Sequence, residues 1–169
     1  QADASAPIYL FRSSDWTDTV DVPDSLKALA KAHGFKASTG QLVIAAAADG
    51  AVSGVLFGVG DGSDTLAVAA LSAKLPVGDY HGAEPASFAL PHLAAGWADG
   101  AYRFDRYLSD PATPPRLVVG EDDAGDAMIR EAVAIDRLRD LVNTPAEDMG
   151  PAEIQGTISD LAERYGATL

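Results

Sequence analysis

Apolar residues first gather at Ile8, Tyr9, Leu10 and Phe11, between Pro7 and Arg12, and this alternating stretch predicts an opening strand over 7–12. Leu26, Leu29 and Ala30 then fall on one face of a helix that Asp24 or Ser25 can cap. His33-Gly34 closes that helix, with Gly34 able to take the left-handed conformation past its last turn. Two long apolar runs follow, over 42–48 and 51–59, on either side of Asp49-Gly50. Asp-Gly is favoured where both central turn residues need positive φ, so a hairpin with a type I′ turn is predicted. Unbroken apolar runs of this kind suit strands buried on both faces.

Ser63 or Asp64 can begin a helix through Leu66, Ala69, Ala70 and Ala73 that ends before Pro76. Ser87, Phe88, Ala89 and Leu90 predict a short strand. From Pro91 a helix is expected through Leu93, Ala94, Trp97, Ala101 and Phe104, reaching Tyr107. Gly96 and Gly100 lie four apart on it, on one face, where another backbone can approach closely. A Pro-rich turn over 111–115 leads to a last strand over 116–120. The long helix expected over 126–142 carries apolar residues on more than one stripe (Met128, Ile129, Ala132, Val133, Ile135, Leu138, Leu141, Val142), the pattern of a helix with two neighbours. A final helix begins at Pro151, is expected to bury Ile154, Ile158, Leu161 and Tyr165, and stops at Gly166. Strands alternating with helices make the fold class α/β, a mixed β-sheet flanked by helices and followed by a linker helix.

Composition narrows the function classes. The 169 residues suffice for one domain with a sizeable core. The absence of cysteine excludes disulfides and thiolate zinc sites. A formal net charge of −13 repels phosphate backbones, so no nucleic-acid partner is expected. No apolar run approaches the roughly 20 residues of a membrane span, and residues 1–7 carry no basic or apolar signal-peptide region, so no membrane partner is expected either.

Few residues offer chemistry. His33, His81 and His92 form no H-x-x-x-H or H-E-x-x-H pair. Gly58-Val59-Gly60-Asp61-Gly62 ends a strand and leads toward a helix, where free backbone N–H groups could cradle an anion. Ser63 stands where a dinucleotide-binding loop needs glycine, no Walker lysine follows, and Asp61 repels phosphate, so a tight turn is the stronger reading. No Gly-x-Ser-x-Gly surrounds a serine, and the strand pattern around Ser53 argues for a packed position. Glu121, Asp122, Asp123 and Asp126 lack calcium-loop spacing and read as a solvated start to the long helix.

The densest motif spans Asp140-Leu141-Val142-Asn143-Thr144-Pro145-Ala146-Glu147-Asp148-Met149-Gly150-Pro151. Pro145 disfavours a helical Thr144, Asn143 and Thr144 can bond freed backbone groups, and Gly150-Pro151 aims the next helix. This elbow resembles the junction between the two domains of the M17 leucyl aminopeptidases, the cytosol aminopeptidase family. Three further places are similar to that family in the same order: Val55-Leu56-Phe57-Gly58-Val59-Gly60; Leu75-Pro76-Val77-Gly78-Asp79-Tyr80, which resembles a turn; and the Gly-rich stretch from Gly96 to Tyr107 ending in Tyr-x-Phe-x-x-Tyr.

The resemblance implies a macro-domain-like N-terminal domain over 1–123, a linker helix over 124–145, and the first helix of a truncated catalytic domain over 146–169. It implies a cytoplasmic homohexameric parent enzyme. That parent would remove N-terminal, leucine-like residues from peptides with two divalent metals, zinc or manganese, held in the catalytic domain. Such a metal pair would activate a water and polarise the scissile carbonyl. The family's Asn-Thr-Asp-Ala-Glu-Gly-Arg-Leu signature is absent here, so no catalytic, cofactor-binding or metal-ligating residue is carried over, and this chain is expected to be inactive alone. Its expected partner is its own catalytic domain, and the final helix is expected to be either mobile or docked on a neighbouring chain. The alternative readings are a macro-like nucleotide or ADP-ribose binding module and, third, a DNA-binding protein.

Overall fold

The structure, a computed structural model, describes residues 5–17, 19–64, 66–85, 90–120 and 123–169. The chain runs β1 (Ala6–Phe11), α1 (Asp24–Ala32), β2 (Leu42–Ala46), β3 (Val52–Gly58), a single 3-10 turn (Ala67–Ala69) continuous with α2 (Ala70–Lys74), β4 (Asp79–Gly82), α3 (Leu90–Ala101), β5 (Arg116–Leu117), α4 (Asp123–Asn143) and α5 (Pro151–Tyr165). The five strands lie in the order β2-β3-β1-β4-β5. β1 pairs in parallel with β3 and β4, β4 with β5 likewise, and β2 is antiparallel to β3. The sheet is therefore mixed and flanked by helices, as the sequence pattern predicts.

Period-two alternation sorts the sheet's side chains. Ile8, Leu10, Val55 and Phe57 turn to one face, where they meet Val68, Leu71, Tyr80, Leu93 and Trp97. Phe11, Val43, Ala45 and Leu56 turn to the other, against Val22, Leu26, Ala30 and Phe35. β3 is buried on both faces from Gly54 to Gly58, while β2, at the sheet edge, alternates between buried and half-exposed positions.

Local chemistry explains where the elements depart from expectation. Neither Asp24 nor Ser25 caps α1; Pro23 is the N-cap and no side chain caps it. The proline ring holds that residue extended, its carbonyl accepts from Lys27 N–H at 3.1 Å, and Asp24 enters the first turn, where its charge suits the helix dipole. The hairpin forms without a type I′ turn. Gly50 takes positive φ (86°) and Asp49 does not; Ala47 N–H reaches Ala51 O at 2.8 Å across a three-residue loop, and Asp49 Oδ1 accepts from Ala51 N–H. Asp64 holds Leu66 N–H with its carboxylate and Ala67 N–H with its carbonyl, so the helix expected from 63 begins as a 3-10 turn.

β4 lies where the sequence suggested only a turn. Asp79, Tyr80, His81 and Gly82 offer no apolar alternation; the strand is stabilised by pairing with β1 and by a bidentate Arg116–Asp79 contact at 2.8 and 2.9 Å. Of the short strand expected at 87–90, residues 87–89 lie outside the described residues, and Leu90 is helical. α3 stops at Ala101, six residues short of Tyr107, where Arg103 Nη1 donates to the carbonyls of Gly100 and Tyr102 and satisfies the helix end.

Gly96 and Gly100 do bring a second backbone close. A Cβ on Gly96 would meet Val68 Cγ2 at 2.3 Å, and one on Gly100 would meet the Ala69 carbonyl oxygen at 1.8 Å. Gly100→Ala is expected to destabilise the chain by about 1–3 kcal/mol in urea unfolding, because a backbone atom must move. Gly156→Ala on α5, where nothing lies within 4 Å, is the contrasting control and is expected to be neutral or stabilising.

Candidate functional site

The Gly-rich loop after β3 is not an anion cradle. Its amides are already engaged: Gly58 N–H donates to Gln41 O, Val59 N–H to Phe11 O, Gly60 N–H to Ala37 O and Gly62 N–H to Val59 O, at 2.9 to 3.0 Å. Glycine is required there by the chain's own neighbours. A Cβ at Gly58 would strike the Ala37 backbone at 2.3 Å, and one at Gly60 would strike Thr39 Oγ1 at 2.1 Å. The Ser63 hydroxyl and amide both donate to Asp61, which holds its carboxyl below the ordinary range and keeps it an anion.

The other candidates do not converge. His33 is the C-cap of α1, His81 lies on β4 with Nδ1 2.8 Å from Ser5 Oγ, and His92 is in the first turn of α3. Ser53 is exposed rather than packed; it is the extra residue where the β2–β3 register shifts, between the Ala45–Gly54 and Ala46–Val52 pairs. Among the described residues no three His, Cys, Asp or Glu side chains come together as a group able to hold a metal ion. No helix among them is long and apolar enough to cross a membrane.

What the structure does assemble is the elbow. α4 ends at Asn143, before Pro145. The Thr144 hydroxyl donates to the Asp140 carbonyl at 2.6 Å, beside Thr144 N–H at 2.9 Å, and Arg106 Nη1 donates to Thr144 Oγ1 at 3.3 Å. Asn143 bonds Tyr102 OH at 2.9 Å instead of a freed backbone group. In the turn, Asp148 N–H reaches Pro145 O at 2.9 Å and the Tyr107 hydroxyl donates to Asp148. Gly150 caps α5, its N–H donating to Glu153 Oε2 at 3.0 Å, and Pro151 takes the first helical position as expected.

A polar latch fixes α4 to the end of α3. The Arg139 guanidinium lies 2.6 Å from Asp99 Oδ1, donates to the Asp99 carbonyl at 3.0 Å, and sits 4.8 Å over the Tyr102 ring. Tyr102 OH donates to Asp140 Oδ1 at 2.9 Å. Burial, with the Asp140 carboxylate it serves, raises the Tyr102 phenol above its ordinary range, so it remains a donor. Nothing in the spacing of Asp99, Tyr102, Arg139, Asp140 and Asn143 places them together in the sequence, although the Tyr-x-Phe-x-x-Tyr stretch marks one side of the latch.

Beyond the latch, the apolar faces are open. Ile129, Val133, Ile135, Leu138 (61% exposed) and Val142 (76%) stand out from α4. On α5, Ile154, Ile158 and Tyr165, expected to be buried, are exposed; Leu161 is half-buried and Ala162 is buried. Amides of α5 are therefore expected to exchange faster than those of α3 in the isolated chain. Equal protection in the two helices at monomer concentration contradicts that.

Asp136, one turn before Asp140, has a buried carboxylate oxygen with no hydrogen-bond partner. Burial first, then the Asp140 charge, raises its pKa, with Arg139 opposing. A folded-state pKa above the unfolded value means the protonated acid favours the fold. The stabilisation is full below the ordinary carboxylate range and is lost as pH rises through the raised value. Asp136→Asn is therefore expected to be more stable than the parent at pH 8, with the gap narrowing as pH falls toward the ordinary carboxylate range. Unfolding curves that show a gap independent of pH would exclude this.

Comparison with known proteins places the elbow in context. The model of the M17 aminopeptidase N-terminal domain matches residues 6–119. No curated protein matches the chain. Among solved structures, the cytosol aminopeptidase of Coxiella burnetii is similar at 25% identity and a TM-score of 0.81, over 98% of this chain and 37% of that one. The bottromycin maturation enzyme BotP shares the fold at 24% identity and TM-score 0.68, over 96% of this chain and 38% of its own. A tomato leucine aminopeptidase variant shares it at 17% identity and TM-score 0.64, over 96% of this chain and 40% of its own. The chain thus spans 37% to 40% of the length of these relatives. The matched sheet and the structural likeness carried through α4 and α5 lead to one conclusion: the chain belongs to the M17 aminopeptidase family, as its N-terminal domain.

Proposed function

We propose that the chain is the non-catalytic N-terminal part of a leucyl aminopeptidase that removes N-terminal residues from peptides with two divalent metals, zinc or manganese. In this reading the metals belong to the catalytic domain, the whole enzyme is a cytoplasmic homohexamer, and this chain alone is inactive. The observation that carries the reading is the family match over residues 6–119, followed by an elbow whose two helices present apolar faces outward. One relative, BotP, has been described in complex with manganese, which supports metal use by the parent. The residues of this chain do not fit a dinuclear centre: among those described, no three candidate ligands converge, and Asp136 is the one orphaned carboxylate. The domain's own work is then to anchor the linker helix, pack on the catalytic domain and support assembly. No nucleic-acid or membrane partner is part of the proposal; the net charge of −13 supports that for nucleic acid. The macro-like nucleotide reading gains nothing from the Gly-rich loop, where the amides of Gly58, Val59, Gly60 and Gly62 are spent.

The test is hydrolysis of a leucyl chromogenic amide with added manganese or zinc, by this chain and by the same chain joined to an M17 catalytic domain. Activity is expected in the joined protein and not in this chain. Turnover by the 169-residue chain itself overturns the proposal.

A further inference from the structure

The protein has only four lysines, and three of them, Lys27, Lys31 and Lys36, line one cavity of about 440 Å³ together with Trp16, Thr17 and Phe35. In a chain of net charge −13 this is a concentration of positive charge in one place. Lys27 and Lys31 are four apart on α1, so they share a face and repel each other. Lys27 has a loose pair with Asp24 at 3.9 Å; neither Lys31 nor Lys36 has a carboxylate partner among the described residues. The apolar side of the cavity is aromatic and ordered. Trp16 stands edge-on to Phe35, with centroids 4.9 Å apart, and to Phe11 at 5.2 Å. Phe35 is buried and Trp16 half-buried.

The segment that carries Phe35 and Lys36 is fixed as well. Gly34, at φ 60°, turns the chain out of α1, and Phe35 N–H returns to Ala30 O at 2.8 Å. The Gln41 side chain then clamps the segment, accepting from Lys36 N–H at 2.8 Å and donating to Gly34 O at 3.1 Å. Lys36 is thus carried on a held backbone and lines the same cavity as Lys31. An apolar wall beside ammonium groups that have no carboxylate partner among the described residues, in a volume of this size, suits a small ligand with one anionic end.

We propose that this cavity binds a small amphipathic anion, its ring or alkyl body against Trp16 and Phe35 and its carboxylate or phosphate between Lys31 and Lys36. The site is separate from the Gly-rich loop and from the elbow. It does not depend on the aminopeptidase reading. A polyanion is disfavoured by the acidic surface, whereas a single anionic group is not.

The test uses 3-phenylpropionate and phenyl phosphate as probes, with neutral 3-phenylpropionamide as the control. The readout is tryptophan fluorescence, to which Trp16 contributes at the cavity while Trp97 is buried on the opposite face of the sheet. Both anions are expected to change the emission saturably, with the amide about tenfold weaker. K31Q/K36Q is expected to weaken the anions about tenfold with an unchanged melting temperature, since both side chains sit on exposed residues. Tighter binding of phosphate than carboxylate, or the reverse, assigns the anionic group, and either order supports the site. Equal affinity for anion and amide, undiminished binding by K31Q/K36Q, or no saturable change up to about 10 mM overturns it.

Discussion

The contact on which most of this molecule depends is the approach of Gly100 to the Ala69 carbonyl. With no side chain at 100 or 96, α3 lies directly on the backbone of the 67–69 turn. That seats Leu93 and Trp97 in the same cluster as Ile8, Leu10 and Phe57 and brings Trp97 to 5.9 Å from Tyr80. The close approach lies at the end of α3, and that end is what α4 is attached to. Asp99 and Tyr102 lie at that end, and they are the groups Arg139, Asp140 and Asn143 hold.

The latch is polar where the faces beyond it are apolar. Charge-assisted hydrogen bonds are directional, so Arg139 on Asp99 and Tyr102 fixes the rotation of α4 as well as its position. With that rotation set, Ile129, Val133, Leu138 and Val142 remain exposed, on more than one side of α4. The elbow at Thr144-Pro145 then fixes the direction of α5, whose Ile154 and Ile158 are likewise open. Large apolar residues left exposed on two consecutive helices are more than the scattered single ones an ordinary exterior carries. The chain thus joins a sheet core to an arm of two helices whose apolar residues are largely open.

The cores and the arm differ in how much of them the chain announces. The Ile8–Phe11 alternation, the apolar runs around Asp49-Gly50, the Gly96/Gly100 pair and the Pro145 and Gly150-Pro151 punctuation could all be read directly, because each acts over a few residues. β4 could not, since Asp79, Tyr80, His81 and Gly82 become a strand by pairing with β1 and β5, not by their own pattern. The apolar period continues through Phe104, yet α3 ends at Ala101, where Arg103 takes the terminal carbonyls. Asp24 and Ser25 were expected as caps from residue type alone, yet Pro23 had already set the backbone.

By itself, then, the sequence determined the α/β class, the mixed sheet, the close-approach glycines, the stop-and-restart of the elbow and the family. All of these follow from local stereochemistry or from motifs contiguous in the chain. The tertiary structure decided the rest. It occupied the loop amides of Gly58, Gly60 and Gly62 with the chain's own carbonyls, turned the stripes of α4 and α5 outward, closed the Arg139–Asp99–Tyr102 latch, and drew Lys31 and Lys36 toward Trp16. Those outcomes depend on which distant groups meet, and the free energy of a hydrogen bond or a buried carboxylate is set by its neighbours in space, which residue order alone does not specify.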